Sequence, residues 1–230
     1  MKQTRNRNFF LFCFIVVFSL CFIFCFGCGL IAKMGSPSSH EKKIPAEFKL
    51  AEPEGQKILV FVKQPAWIGA PPALRGILTE IMNVRLLENA KLSSRSVIDY
   101  ETLSDFRLKR VDFSMMSEAE IGKALGADLI LLLVLDGYSM SKLPDTDYYK
   151  GLLEGQAVLI EVETNKKLWP VDGSRVVRVG FEVEVLGAGA ALSRLANSMA
   201  HCVTRYFYDC PRNKFKTADD RSGVGWESWD

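Results

Sequence analysis

The sequence predicts a mixed α/β domain in which strand–helix units come first and antiparallel strands follow. Three stretches support this fold class. Residues 116–136 have the pattern of a short amphipathic helix that leads directly into a continuous apolar strand. Residues 57–62 are apolar after the initial Lys57 and rich in branched side chains, as expected of a buried strand. Residues 177–185 alternate strictly between apolar and polar, which is typical of an antiparallel strand with one solvated face.

The helix within residues 116–136 carries signals at both ends. Ser117 followed by Glu120 is a capping-box pattern. Gly126 suits a C-terminal cap, which needs a left-handed backbone conformation. The apolar run 129–135 is too continuous for a strand with a solvated face, so we expect a central strand that is covered on both faces of the sheet.

The remaining elements follow from apolar periodicity and turn residues. Pro71 and Pro72 precede a stripe of apolar residues with helical spacing, which predicts the first long helix. The predicted order is β-α-β-α-β-β-β-(β)-α, with helices packed on a mixed β-sheet. The other predicted elements are a strand at 96–99, one or two helical turns at 100–109, a polar loop at 139–147, a strand at 154–163, a turn into 167–169 and a closing helix at 190–208.

The chain divides into four predicted regions. Residues 1–32 form a signal segment or a membrane anchor, because a basic flank precedes an apolar run that is long enough for either. Residues 33–56 are rich in Ser, Pro, Lys and Glu, and we expect them to be a flexible tether. A single globular α/β domain is expected over residues 57–210, and a disordered tail over residues 211–230.

Cys28 bears on the choice between a signal and an anchor. Gly27-Cys28-Gly29 resembles the end of a bacterial lipoprotein signal, where a small residue precedes the cysteine that takes the lipid. Cys25 and Phe26 depart from the residues preferred before that junction. We predict lipidation at Cys28, with the domain in the periplasm at the outer membrane. The alternative is an uncleaved single-span membrane protein, in which Cys28 is a small apolar residue. The basic flank favours an exported C-terminal part in both cases.

Composition excludes two classes of ligand. The net charge of +2 includes the basic flank, Lys2, Arg5 and Arg7. Without these three residues the net charge is −1, so the domain has no electrostatic footprint for nucleic acid. His40 and His201 are far apart in sequence, and the exported part has no Cys-x-x-Cys pair. We therefore predict no metal and no small-molecule cofactor.

Cys202 and Cys210 are the two cysteines of the exported part. On a continuous helix this separation places their Cα atoms about 12 Å apart, at ~1.5 Å rise per residue. That distance exceeds the ~7 Å limit for a disulfide. We therefore expect two free thiols.

Two patterns have the residue types and spacing of catalytic or cofactor-binding sites. Asp145 and Asp147 form a carboxylate pair of the kind used in glycoside hydrolysis, although solvated hairpin tips have the same pattern. Residues 185–192 follow a strand and open a helix, as a dinucleotide-binding turn does. Leu192, however, stands where the third Gly or Ala belongs. We predict no catalytic residue, and an envelope enzyme that uses the Asp145/Asp147 loop is the alternative.

The arrangement resembles a superfamily of bacterial envelope proteins: the lipoprotein activators of penicillin-binding proteins, the curli-secretion lipoprotein and the N-terminal domain of the Tol-Pal translocation protein. The resemblance covers residues 57–208 and depends on residues 121–128 before the apolar strand, on the hairpin at 157–169 and on the last helix. An evident long pore-forming hairpin is lacking. The resemblance implies a non-catalytic, membrane-tethered adaptor or assembly factor that docks an unspecified envelope protein.

Overall fold

A mixed β-sheet forms the centre of the domain. The computed structural model describes residues 42–50 and 56–223, with the backbone alone for residues 183–186. The strands of this part are β1 (Lys43–Ile44), β2 (Ile58–Lys63), β3 (Val97–Ile98), β4 (Leu129–Lys142), β5 (Tyr148–Glu161), β6 (Lys167–Trp169), β7 (Arg175–Leu186) and β8 (Cys210–Pro211).

The sheet has the strand order β3-β2-β4-β5, and the far edge of β5 pairs with β6 and with β7. β2 runs parallel to β3 and to β4, whereas the later pairs are antiparallel. β1 and β8 form a separate antiparallel pair. The helices are α1 (Ala73–Asn89), α2 (Tyr100–Lys109), α3 (Glu118–Leu125), α4 (Ala188–Thr204) and α5 (Arg212–Phe215). The predicted mixed α/β fold class is confirmed.

Helices cover the two faces of the sheet in pairs. α1 and α4 contribute to the core on the first face, which includes Leu131 and Leu133 of β4. α2 and α3 contribute to the core on the second face, which includes Ile130 and Leu132 of the same strand. β4 is therefore buried on both sides here, and the expectation drawn from its continuous apolar run is confirmed.

The ends of α3 form as the sequence predicts. The Ser117 hydroxyl accepts a hydrogen bond from the Glu120 backbone N–H at 3.3 Å, and the Glu120 carboxylate accepts one from the Ser117 N–H at 2.7 Å. Gly126 ends the helix with a φ of 69°. Gly122 allows the helix to approach β4 closely, since a Cβ atom at this position would lie 2.7 Å from Cδ1 of Ile130.

The β4–β5 hairpin is longer than the sequence indicates, with 14 residues in each strand. The loop predicted over residues 139–147 is therefore wrong for its first four residues, which belong to β4. A register shift beside Asp136 explains the error. One extra residue moves the following side chains to the opposite face, so Tyr138 and Met140 pack on the first-face core and interrupt the earlier periodicity.

The N-terminal boundary of the domain lies earlier than predicted. The flexible tether expected over residues 33–56 is wrong for residues 43–50, which are part of the domain. Ile44 and Leu50 are buried, and Phe48 packs beside them. These apolar residues stand among Lys, Pro and Glu, a composition that is typical of a linker. The compact unit accordingly begins at Lys43.

The C-terminal boundary lies later than predicted. The disordered tail expected over residues 211–230 is wrong for residues 211–223. Phe215 is buried, as are Asp219 and Asp220. The backbone of this segment also bonds to the free edge of β7, with N···O distances of 2.8 Å on either side of Asp220. The segment therefore closes the domain instead of leaving it.

Several predictions concern residues outside the described part of the chain. Cys28 and His40 lie there, as does the whole predicted signal or anchor, residues 1–32. Trp226 and Trp229 lie there as well. Two aromatic residues are unusual in a tail that the sequence predicts to be disordered, and composition does not decide whether they dock onto a partner or onto the domain.

Candidate docking surface

Large apolar side chains are exposed at one end of the sheet, where β2 leaves it. Apart from scattered single residues, soluble proteins expose few such side chains, and groups of them mark interaction sites. We call this group the docking surface. Its members and their exposed fractions are Trp67 (72%), Leu108 (82%), Val111 (103%) and Met115 (88%).

Trp67 is held outward by a buried neighbour. It lies in a 3-10 helix of one turn, Ala66–Ile68, which follows β2 after a short loop. Ile68 is buried in the first-face core and anchors this turn. The side-chain amide of Gln64 braces the loop by donating to two of its carbonyl oxygens, at 2.8 and 3.0 Å. A fixed backbone thus presents an exposed indole to the solvent.

The other three residues lie at the end of α2, which contains Leu108, and in the segment that joins α2 to α3, which contains Val111 and Met115. Phe113 anchors this segment, because its ring packs edge-on against Phe61 at 6.2 Å and Phe106 at 6.1 Å between ring centroids. The Arg107 guanidinium lies 4.8 Å from the Phe113 centroid and adds a cation–π contact. The anchored ring leaves the side chain of Met115, two residues later, in the solvent.

An ion pair joins the two parts of the surface. Lys63, the last residue of β2, binds the carboxylate of Glu118, the first residue of α3. Burial opposes the charged form of Glu118, but the hydrogen bond and the charge of Lys63 outweigh it and hold the pKa of Glu118 below its ordinary value. Trp67 lies four residues after Lys63 in the sequence, and Met115 lies three residues before Glu118. Because the pair holds these two segments together, Trp67 and Met115 are at the same end of the sheet.

Local ion pairs also neutralise basic side chains near the docking surface. Lys109 pairs with Asp105 at 3.2 Å, and Arg110 pairs with Asp112 at 2.8 Å. The pKa of Asp112 is lowered by its hydrogen bond to Arg110. Cations that are neutralised within the surface leave its exposed apolar side chains as the dominant feature. Such a surface favours a protein partner with an apolar face over a polyanion.

The Asp145/Asp147 loop, the predicted alternative site, is a turn at the tip of the long hairpin. Asp145 has a left-handed backbone with a φ of 54°, and Asp147 pairs with Lys142 at 2.8 Å. The hydrogen bond and the charge of Lys142 lower the pKa of Asp147. The depression around the turn, about 580 Å³, is lined by residues 142–147 alone. Thus the turn does not bring the two carboxylates together with groups from other elements.

The glycine-containing turn at residues 185–192 connects β7 to α4. Gly187 has a φ of 85°, and its N–H donates to the carbonyl oxygen of Asp147 at 3.0 Å. β7 is antiparallel to β5, and α4 leads into the 3-10 turn Arg205–Phe207 and then β8. A dinucleotide-binding turn instead belongs to a parallel βαβ unit. The turn is therefore a strand-to-helix joint.

His201, Cys202 and Cys210 are all buried. Burial lowers the pKa of His201, whose Nε2 lies 3.3 Å from the carbonyl oxygen of Phe215. Both cysteines are free, so this prediction is confirmed. Burial raises the pKa of Cys202 to about 12, which keeps it in the unreactive thiol form. Within residues 42–50 and 56–223, no three His, Cys, Asp or Glu side chains are arranged to hold a metal ion.

Sequence reasoning missed the docking surface itself. Trp67 stands between Pro65 and Gly69 in a loop after a strand, and an aromatic residue in such a loop is a recognisable signal of exposure. Val111 and Met115 have no comparable signal, because apolar residues between two helices are more often buried. They are exposed because their neighbour Phe113 is the residue that packs against the core.

No helix of the described residues is both long and apolar enough to cross a bilayer. No protein-family model and no curated protein matches the chain. Several solved structures are similar to it at low identity. They include lipoprotein GNA1162 from Neisseria meningitidis, with 18% identity over 61% of this chain and 92% of that chain and a TM-score of 0.38.

Two further solved structures belong to the same comparison. The PelC dodecamer from Paraburkholderia phytofirmans has 12% identity over 72% of this chain and 96% of that chain, with a TM-score of 0.41. The LpoB C-terminal domain from Salmonella enterica has 17% identity over 67% of this chain and 93% of that chain, with a TM-score of 0.33. The neighbours include one protein described as a lipoprotein, GNA1162. At these TM-scores they do not indicate which residues act.

Proposed function

We propose that the protein is a membrane-tethered envelope lipoprotein that acts as a non-catalytic adaptor or assembly factor. Its domain lies in the periplasm, tethered to the outer membrane through a lipid on Cys28. The docking surface binds another envelope protein. The observation that carries the adaptor role is the exposure of Trp67, Leu108, Val111 and Met115 at one end of the sheet.

The chemistry of the docking surface supports binding over reaction. Its exposed members are an indole, two aliphatic side chains and a thioether, none of which is a general acid or base. They are presented by short segments that the buried Ile68 and the partly buried Phe113 hold in place, so little conformational entropy is lost when a partner packs on them. A rigid apolar patch that includes a tryptophan is typical of the energetic centre of a protein interface.

Photo-crosslinking in intact envelopes tests the adaptor role. A photoreactive residue at Met115 should yield a crosslinked envelope protein, and the same residue at Val84, exposed on α1, should not. Replacing Trp67 and Val111 by Ser should remove the crosslink without loss of folding, because both side chains are solvent-exposed. Absence of any crosslink at Met115, or a crosslink that persists in the serine variants, would contradict the adaptor role.

The mass of the mature N-terminus tests the tether. Lipidation predicts loss of residues 1–27 and a blocked, acylated Cys28 at the new N-terminus. An intact chain that begins at Met1 would instead establish the uncleaved single-span protein. This measurement is independent of the crosslinking result.

A further inference from the structure

A groove of about 550 Å³ opens beside β1, where the N-terminal chain enters the domain. Three exposed lysines, Lys43, Lys49 and Lys91, stand around it, and we call it the lysine groove. Buried apolar side chains, including Leu50 and Phe207, form part of its lining. The groove therefore combines ammonium groups with an apolar floor.

The charge of the lysine groove is not balanced locally. The carboxylate among its lining residues is that of Asp209, which accepts a hydrogen bond from the Ala46 backbone N–H at 3.1 Å. The ion pairs of residues 42–50 and 56–223 include none of the three lysines. Three ammonium groups near one carboxylate attract an anionic ligand.

Lys91 has an unusual backbone conformation. It directly follows Ala90, the C-terminal cap of α1, and has a φ of 58°. Glycine is the usual residue at this position after a helix, because it adopts a left-handed backbone without a steric penalty. A lysine here places a charge at the groove although the backbone favours glycine.

The lysine groove and the docking surface lie at opposite ends of the sheet. α1 starts after the carboxyl end of β2 and returns to its amino end, where Ile58 pairs with Val97. Lys91 follows α1 and therefore lies at the amino end. The chain from Gly29 to Lys42 has 14 residues and spans at most about 50 Å when fully extended. A lipid on Cys28 thus keeps the groove within reach of the bilayer surface.

We infer that the lysine groove binds the headgroups of anionic phospholipids, so that the tethered end of the domain rests on the membrane and the docking surface faces away from it. The inference rests on the proposed membrane tether. Ammonium groups pair with the headgroup phosphate, and the apolar floor suits the adjoining glycerol and first methylenes. Each lysine near an anionic surface favours contact about fivefold, so three favour it about 100-fold. Salt should weaken the contact, because screening shortens the range of the attraction.

Lysine footprinting of the full chain tests this contact. The protein is reconstituted through its own anchor into vesicles of phosphatidylcholine, with or without phosphatidylglycerol, and briefly exposed to an amine-acylating reagent. Acylation of Lys43, Lys49 and Lys91 should slow severalfold in the anionic vesicles and recover at high salt. Lys150 is exposed on β5 and pairs with Ser141, beyond the carboxyl end of β2. It therefore lies away from the groove and is an internal control whose rate should not change. Equal acylation rates in the two kinds of vesicle would overturn the inference. Acylation that slows only when an anionic polysaccharide is added to the vesicles would overturn it as well.

Charge-removal variants separate the groove from the fold. Lys91→Gly removes one ammonium group and also relieves the left-handed backbone, so a loss of contact cannot be attributed to unfolding. With Lys43→Gln and Lys49→Gln added, the protection of the neighbouring exposed Lys42 should disappear. Lys150→Gln removes one charge elsewhere and should leave that protection intact. Unchanged protection of Lys42 in the triple variant would also overturn the inference.

The two proposals fail in different ways. If the lysines are not protected but Met115 still crosslinks to a partner, the lipid contact is wrong and the adaptor role stands. If the lysines are protected but no partner crosslinks, the adaptor role is wrong and the lipid contact stands. Footprinting uses reconstituted vesicles and crosslinking uses intact envelopes, so neither result depends on the other.

Discussion

Replacing Asp220 by Asn should strongly destabilise the closure of the domain by its C-terminal segment. Asp220 pairs with Nη1 of Arg205 at 2.6 Å, and both side chains are only 1% exposed. Arg205 also lies 4.4 Å from the Phe215 ring centroid. The substitution preserves the shape of the side chain but removes its charge. It therefore leaves a buried guanidinium without a counter-ion.

The magnitude follows from the burial of this pair. Breaking a buried ion pair by removing one partner costs about 3–5 kcal/mol of unfolding free energy, because the remaining charge stays desolvated. The neighbouring Arg194–Asp219 pair is a matched comparison, since its side chains are 36% and 11% exposed. Solvent screens that pair more, so Asp219→Asn should cost about 1–2 kcal/mol. The two substitutions are at adjacent positions, and the main difference between them is how deeply the affected ion pair is buried.

The pH dependence of the wild type has a defined sign. Burial favours the neutral form of Asp220, but the Ser222 N–H and the Arg205 charge outweigh it, so the pKa of Asp220 lies below its ordinary value of 3.8. A lowered folded pKa contributes stability that is present above 3.8 and lost as the pH falls through the folded value. The difference between the wild type and Asp220→Asn should therefore be constant near neutral pH and shrink below about pH 4.

Urea unfolding of the full chain, followed by circular dichroism in a non-denaturing detergent, measures the free energy. Limited proteolysis within residues 216–223 reports detachment of this segment from the rest of the domain. If the segment opens before the domain unfolds, the measured loss of unfolding free energy is smaller. Asp220→Asn should lower the unfolding free energy more than Asp219→Asn or expose the segment to protease. Equal values for both variants, with wild-type proteolysis, would refute the buried-pair argument.

Three further changes test other parts of the fold. Gly122→Ala should lower the unfolding free energy by about 1–3 kcal/mol, because the new methyl would lie 2.7 Å from Cδ1 of Ile130; urea titration measures this. Glu47→Ala removes the acceptor of a 2.8 Å hydrogen bond from the Trp169 indole, so proteolysis near residues 42–50 should accelerate at unchanged global stability. Ser117→Ala removes the α3 cap and should cost about 1 kcal/mol, measured by the same titration.

Each of these changes has its own control. Alanine at Gly189, where nothing lies within 4 Å of a Cβ atom, should be tolerated; equal losses at both glycines would contradict the close-approach argument. A Glu47 variant with wild-type protease resistance would show that the apolar packing and the β1–β8 pairing hold the segment without this hydrogen bond. Ser117→Asp retains a capping oxygen and should restore stability to the α3 cap.

Local signals predicted the sequence-contiguous parts of the fold. The capping box of Ser117 and the left-handed Gly126 involve neighbours within one helix, and each has a pattern that is readable without tertiary information. The alternation across β7 and the apolar run of β4 were equally legible. The bulge beside Asp136 was not, because a single extra residue reverses the facing pattern without changing composition.

Contacts between distant residues account for most of the errors. Asp219 and Asp220 have the composition of a solvated tail, and nothing near them in sequence indicates that Arg194 and Arg205 lie opposite. Ile44 is similarly surrounded by linker-type residues. The candidate surfaces were missed for the same reason, since exposure at Met115 depends on the packing of another element.

The pairing of β1 with β8 also affects the order in which the chain can assemble. β1 lies at the first residues of the compact unit, and Lys43 pairs with Pro211 near its end. A chain made from its N-terminus must therefore hold its earliest strand unpaired until nearly the whole domain has been synthesised. Such a non-local contact is slow to form, because the intervening loop is long. The last contact to close is thus the one beside the proposed membrane tether.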